Sequence, residues 1–257
     1  MTTIIAISTL IGLMFAPLGC LVLWKRYVFF ADGLAHASML AAVISVLLDI
    51  PIFYAGIINT ALFAFVVFKL KRKSGNNAAI SLTSSLMISS ALILSYIFPG
   101  KFNFASLLFG DIVVSSSKDI LTLSILLVSV IAFFISFYKK IILLIISKDI
   151  ASSREINVNL IEFIFLSILS FSVLAAIKIV GGLLVTSIIL IPAMSARIIS
   201  SSPLMMIILS IFFAQIMNVL GIILSFHADL PFAPTIILCG GGIFIMISVY
   251  NKIKIKL

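Results

Sequence analysis

Charge is scarce in this sequence. Of its 257 residues, 17 are Lys or Arg and 8 are Asp or Glu, so 10% are charged, against about 25% in an average soluble domain. Cysteine and histidine number two each. Cys20 and Cys239 lie far apart inside apolar segments, and no CxxC or zinc-ligand spacing exists. A thiol redox motif and a zinc-finger site are therefore excluded. His36 and His227 are widely separated and no HExxH occurs, which argues against an intramembrane metalloprotease. No GxxxxGK[ST] occurs, so the chain does not bind ATP through a P-loop, and no GxSxG elbow is present. Strand-type alternation is missing too, which excludes a membrane β-barrel. The longest gap between apolar runs is roughly twenty residues, which leaves no room for a soluble domain. No enzyme is expected.

What is present is apolar. Hydrophobic residues make up 63% of the chain, and its mean hydropathy is +1.38. The apolar runs approach 20 residues, the length that crosses about 30 Å of hydrocarbon at about 1.5 Å per residue. The net charge of +9 does not signal nucleic-acid binding. Lys and Arg sit in short clusters between the runs, as the positive-inside rule expects. The fold class is therefore an all-α, polytopic membrane helix bundle of 8–9 transmembrane helices, one integral membrane domain over residues 1–257. The first apolar segment continues past signal-peptide length without a basic stretch before it, and is read as a retained span.

In chain order the spans are expected at about 4–24, 28–48, 52–70, 78–98, 120–138, 158–177, 179–191, 204–226 and 235–250. Lys25-Arg26, the cluster from Lys69 to Lys73, Lys139-Lys140 and the tail lysines then face the cytoplasm, with the N-terminus outside. Lys178 opposes that charge rule, and the seventh run is short. The segment from Lys101 to Lys118 is too polar to span and reads as an external interfacial element. In the fourth span, Ser81, Ser84, Ser85, Ser89, Ser90 and Ser95 read as helix packing or as a pathway lining. Glu162 either snorkels or pairs with a Lys or Arg. No internal repeat is evident.

The second span carries Phe29-Phe30-Ala31-Asp32-Gly33-Leu34-Ala35-His36-Ala37-Ser38. Asp32 and His36 are four residues apart and share one helix face. Ionisable groups inside membranes are costly and usually functional. Carboxylate plus neutral imidazole suits zinc, manganese or ferrous ions. Ala31, Gly33, Ala35, Ala37, Ala41 and Ala42 make the helix thin, so partners come close. The bland alternative is a hydrogen-bonded Asp–His pair that fixes packing. Two ligands do not complete a transition-metal site, and the rest must come from another helix, a second copy or water. His227 and Asp229, two apart, read as a solvated external loop end or as an outer relay that passes the ion inward. Asp111 reads as a turn or cap.

These segments together resemble the membrane permease subunit of bacterial zinc/manganese ABC importers. The resemblance rests on Ala16-Pro17-Leu18-Gly19 through Trp24-Lys25-Arg26, Phe30 to Ser38, Phe109-Gly110-Asp111, Lys178 to Leu184, Ile191 to Arg197 and Asp229 to Thr235. It implies a homodimer in the bacterial cytoplasmic membrane, with two cytoplasmic ATPase subunits and an extracytoplasmic metal-binding protein. It also implies that Asp32 and His36 contact a transported zinc or manganese ion, with no permanent cofactor. Ala193 to Pro203, including Arg197, resembles the ATPase coupling loop of cobalamin and siderophore importers, and Ser147 to Arg154 is the second choice. A stand-alone proton-coupled metal carrier and a metal-using membrane enzyme are the competing functions.

Overall fold

The computed structural model describes residues 2–98, 110, 115–147, 154 and 156–256. Among them are nine helices long and apolar enough to cross a membrane. They are α1 (Thr2–Lys25), α2 (Phe30–Leu47), α3 (Ile52–Ser74), α4 (Asn76–Ile97), α5 (Ser117–Ile146), α6 (Val158–Val180), α7 (Gly182–Ile199), α8 (Pro203–Ala228) and α9 (Phe232–Lys256). No strand occurs among the described residues. Helix is what hydrocarbon demands, because every backbone N–H and C=O must be bonded without water. The exposed apolar side chains fit that setting. Ile125, Val128 and Ile135 on α5 and Leu238 and Met246 on α9 are all more than half exposed, as lipid-facing residues are.

The helix ends follow local chemistry. Ser116 and Asp119 close the start of α5, with the Asp119 carboxylate accepting from the Ser116 amide at 2.7 Å. The Asn157 side chain caps α6 by accepting from the Leu160 amide at 3.1 Å. Ser202 caps α8 in the same way, with Pro203 at the first position, where its missing N–H costs nothing. Gly75 (φ 79°) and Gly181 (φ 90°) turn the chain between α3 and α4 and between α6 and α7 in a region that side chains disfavour.

Four expected boundaries shift. α5 does not stop at Lys139-Lys140 but runs on to Ile146. No Gly or Pro interrupts it, both lysines are exposed, and the apolar run resumes at the buried Ile141 and Leu144. Lys178 lies in the last turn of α6, and Gly181 makes the break. The seventh run is a full 18-residue helix. The tail from Asn251 continues α9 as helix up to Lys256. Within the expected interfacial segment Gly110 and residues 115–118 are described, and the rest, with Asp111, lies outside the described residues, as does nearly all of Ser147 to Arg154.

The chain divides into two compact units. The first comprises Met1–Lys25, Ile112–Ile146 and Thr186–Leu257. In it α1 packs on α5 and α8, and α8 packs on α9. α8 is stitched to α1 by side chains that donate to its carbonyls. Asn218 reaches Ser8 O at 2.7 Å, Gln215 reaches Thr9 O at 3.2 Å and Ser210 reaches Ala16 O at 3.0 Å. Such bonds have no water to compete with them. Gly19 of α1 lies against α7, where a Cβ would come within 2.1 Å of the Ile189 carbonyl oxygen.

The second unit comprises Arg26–Asp111 and Ser147–Val185. α2 is its centre and packs against α3, α4 and α6. Gly33 permits this closeness, since a Cβ there would come within 2.7 Å of Ile80 on α4. Asn59 on α3 is fully buried and donates to Ala37 O of α2 at 3.1 Å. Glu162 does not snorkel: it is 7% exposed and pairs with Lys71, which is 9% exposed. Lys71 also lies over the Phe68 ring, 4.6 Å from its centroid.

Two outcomes follow. Gly19→Ala forces backbone apart and costs about 1–3 kcal/mol, read as a lowered unfolding temperature in detergent. Lys71→Met alone removes the cation paired with a buried carboxylate and destabilises by about 3–5 kcal/mol, whereas Lys71→Met with Glu162→Leu is near neutral. Thermal unfolding of the single and double variants separates these two values.

Candidate functional site

The site is built on the first two turns of α2. Tyr27 to Phe30 forms the turn into the helix, with the Phe30 amide donating to Tyr27 O and the Gly33 amide to Phe29 O, each at 2.9 Å. The residue before the helix, Phe29, provides no side-chain cap. Asp32 lies in the first turn, where a carboxylate is favoured by the positive end of the helix dipole. His36 follows one turn later on the same face. The flanking Ala31, Gly33, Leu34, Ala35 and Ala37 are buried. Asp32 and His36 themselves are half-buried, so their face is neither sealed into the unit nor open.

One polar atom on this face is unsatisfied. Among the described residues, His36 Nδ1 is buried and has no hydrogen-bond partner. Among the described residues no hydrogen bond or ion pair joins Asp32 to His36, so the bland reading of a mutually bonded packing pair does not describe them. A buried imidazole nitrogen without a hydrogen-bond partner is a costly feature that asks for an explanation. Among the described residues no group of three or more His, Cys, Asp or Glu could hold a metal ion. Asp32 and His36 therefore stand on α2 without a third such group among the described residues.

The other sequence-predicted residues lie in the first unit. His227 belongs to the last turn of α8 rather than to a loop, and its Nδ1 is 2.9 Å from Ile223 O. Asp229 is the left-handed C-cap of that helix, with φ 50°. Both are exposed. Ser225 fixes this end: its hydroxyl donates to Leu230 O at 2.6 Å, and its carbonyl accepts from the Asp229 and Leu230 amides. Ala193, Arg197 and Pro203 do not form a separate short helix. Ala193 and Arg197 continue α7 past Pro192, and Pro203 opens α8. Ala193 is fully buried in a core with Cys20, Met206 and Phe213, while Arg197 and Pro203 are exposed.

A cluster behind the α2 turn was not legible as a site. Tyr27 is 1% exposed, and its hydroxyl accepts from Lys71 Nζ at 3.4 Å. Burial, and then the Glu162 charge, push its phenol well above the usual range, so it stays protonated. The signal for Lys71 is periodicity. Thr60, Phe63, Ala64, Val67 and Lys71 form one buried stripe at helical spacing, which separates Lys71 from the exposed Lys69.

Comparison with known proteins accords with this architecture. A model of the ABC 3 transport family matches residues 1–251. The high-affinity zinc uptake system membrane protein ZnuB of Haemophilus influenzae is 25% identical over 241 residues, 92% of each chain. The manganese import system permease protein ScaB of Streptococcus gordonii is 23% identical, covering 93% of this chain and 86% of that one. Among solved structures, PsaBC from Streptococcus pneumoniae in complex with Fab superposes with a TM-score of 0.81 at 20% identity, over 96% of this chain and 90% of that one. The match runs through every helix from α1 to α8 and most of α9, and the chain belongs to the ABC 3 transport family.

Proposed function

We propose that this chain is the permease subunit of an ATP-binding-cassette importer that moves divalent transition metal ions inward, zinc before manganese or iron. The family and the zinc and manganese uptake functions of the similar proteins support the reaction class. The observation that carries the site is the buried, partnerless His36 Nδ1 on the Asp32 face of α2. The ion is substrate here, held in transit by Asp32 and His36. A second copy of the chain, in a homodimer, supplies the ligands that one copy lacks. The ATPase subunit acts from the cytoplasm, and an extracytoplasmic metal-binding protein delivers the ion to the outer face, where His227 and Asp229 are exposed. The bacterial cytoplasmic membrane is the setting.

In mechanism, Asp32 contributes charge and His36 contributes directionality. The imidazole must be unprotonated to coordinate. Rigid packing at Gly33 and the alanines holds both groups at fixed positions, so that ligand reorganisation is small when the ion arrives. Coupling to the ATPase falls to the exposed Arg197 and the turn that leads to Pro203.

His36→Ala is expected to abolish zinc uptake into cells while membrane insertion and co-purification of the ATPase stay at wild-type level. Normal uptake by the inserted variant removes the site assignment. Uptake by vesicles that contain this chain alone, without ATPase or ATP, replaces the importer with a proton-coupled carrier. Arg197→Glu lowers ATP-driven uptake and ATPase co-purification severalfold and leaves metal binding intact. A pull-down alongside a binding titration separates the two effects.

A further inference from the structure

Backbone bonds from the Phe30 and Gly33 amides close the turn that leads into α2. Its N-cap residue, Phe29, makes no side-chain cap, and helix starts without caps leave amides unsatisfied. Just ahead, Arg26 sits at φ 59°, a left-handed conformation that residues other than glycine adopt only when their surroundings impose it. Yet this turn sets where Asp32 stands.

Three helices converge on one side chain here. The Tyr27 ring meets Phe30 of α2 edge-on at 6.2 Å and Phe165 of α6 at 6.0 Å. Phe30 in turn meets Phe63 of α3 at 5.3 Å. The Tyr27 hydroxyl faces Lys71 of α3 at 3.4 Å, and Lys71 pairs with Glu162 of α6. Aromatic packing alone fixes depth but tolerates sliding. A buried ion pair gives no assured gain in stability over apolar packing, so its distinctive contribution is direction.

We propose that Tyr27, Lys71 and Glu162 are positioning residues of the metal-transit site. The Lys71–Glu162 pair sets the Tyr27 hydroxyl, and Tyr27 sets the first turn of α2 and with it Asp32. This rests on Asp32 and His36 being the ion contacts. The three residues touch no ion themselves.

The test uses the full chain with its ATPase subunit. Zinc uptake gives KM and the maximal rate, and Co2+ added to the purified complex reports coordination through its visible absorption. Tyr27→Phe keeps the ring and removes only the hydroxyl. Lys71→Met with Glu162→Leu keeps the packing and removes the pair. Both are expected to raise the zinc KM about tenfold, at the lower end of what loss of an orienting partner costs a metal site. The cobalt spectrum should shift, while insertion and basal ATP hydrolysis stay unchanged. Glu162→Asp, which leaves a carboxylate for Lys71, keeps part of the affinity that the double variant loses.

Unchanged KM and spectrum in Tyr27→Phe overturn the positioning role, whatever the double variant does. A fall in maximal rate alone, with KM and spectrum intact, also overturns it. His36→Ala distinguishes the two levels. If it abolishes cobalt binding while Tyr27→Phe changes nothing, the transit site stands and the positioning role falls. If His36→Ala binds cobalt and transports zinc normally, the site reading fails and takes the positioning role with it.

Discussion

Everything in this chain depends on the absence of water around its backbone. Helices satisfy their own amides, so polar side chains bond to spare lone pairs on helix carbonyls or to one another. Asn218, Gln215 and Ser210 do so along α1, and Asn59 does so on α2. Where such a bond is missing, the cost is real, because a buried polar atom without a partner forfeits its hydration for nothing. His36 Nδ1, Asn59 Oδ1, Ser170 Oγ and Ser172 Oγ are such atoms in the second unit. Of these, only the imidazole nitrogen is a strong ligand for a transition metal.

Packing and chemistry are linked through α2. Its small residues bring α3 and α4 close on one side, which leaves Asp32 and His36 on a half-buried face. A two-ligand face grips an ion less firmly than a closed four-ligand structural site. For a substrate that must leave again, weak and shared coordination is an advantage, since conduction requires binding that also releases.

Much of this was readable from the sequence. Nine apolar runs became nine helices among the described residues, and the four-residue spacing of Asp32 and His36 placed them on one face. Helix ends were less readable, because a pair of lysines looks the same at a membrane surface and on the exposed side of a continuing helix. Lys139 and Lys140 were the second kind, and His227 proved to be helical although Pro-rich sequence follows it. The Tyr27–Lys71–Glu162 cluster was out of reach as a whole. Its members are 44 and 91 residues apart in turn, and only folding brings them together. Glu162 alone hinted at a basic partner, without naming it.

The continuity of α5 has a mechanical side. Its 30 residues contain neither Gly nor Pro and span about 45 Å, against about 30 Å of hydrocarbon. A helix without a joint is stiff along its axis. Beyond Lys139 and Lys140, the stretch from Ile141 to Ile146 carries the same rod about 9 Å further. A push on that end would tilt the rod as a unit rather than bend it. α1, which packs along α5, would receive the tilt directly.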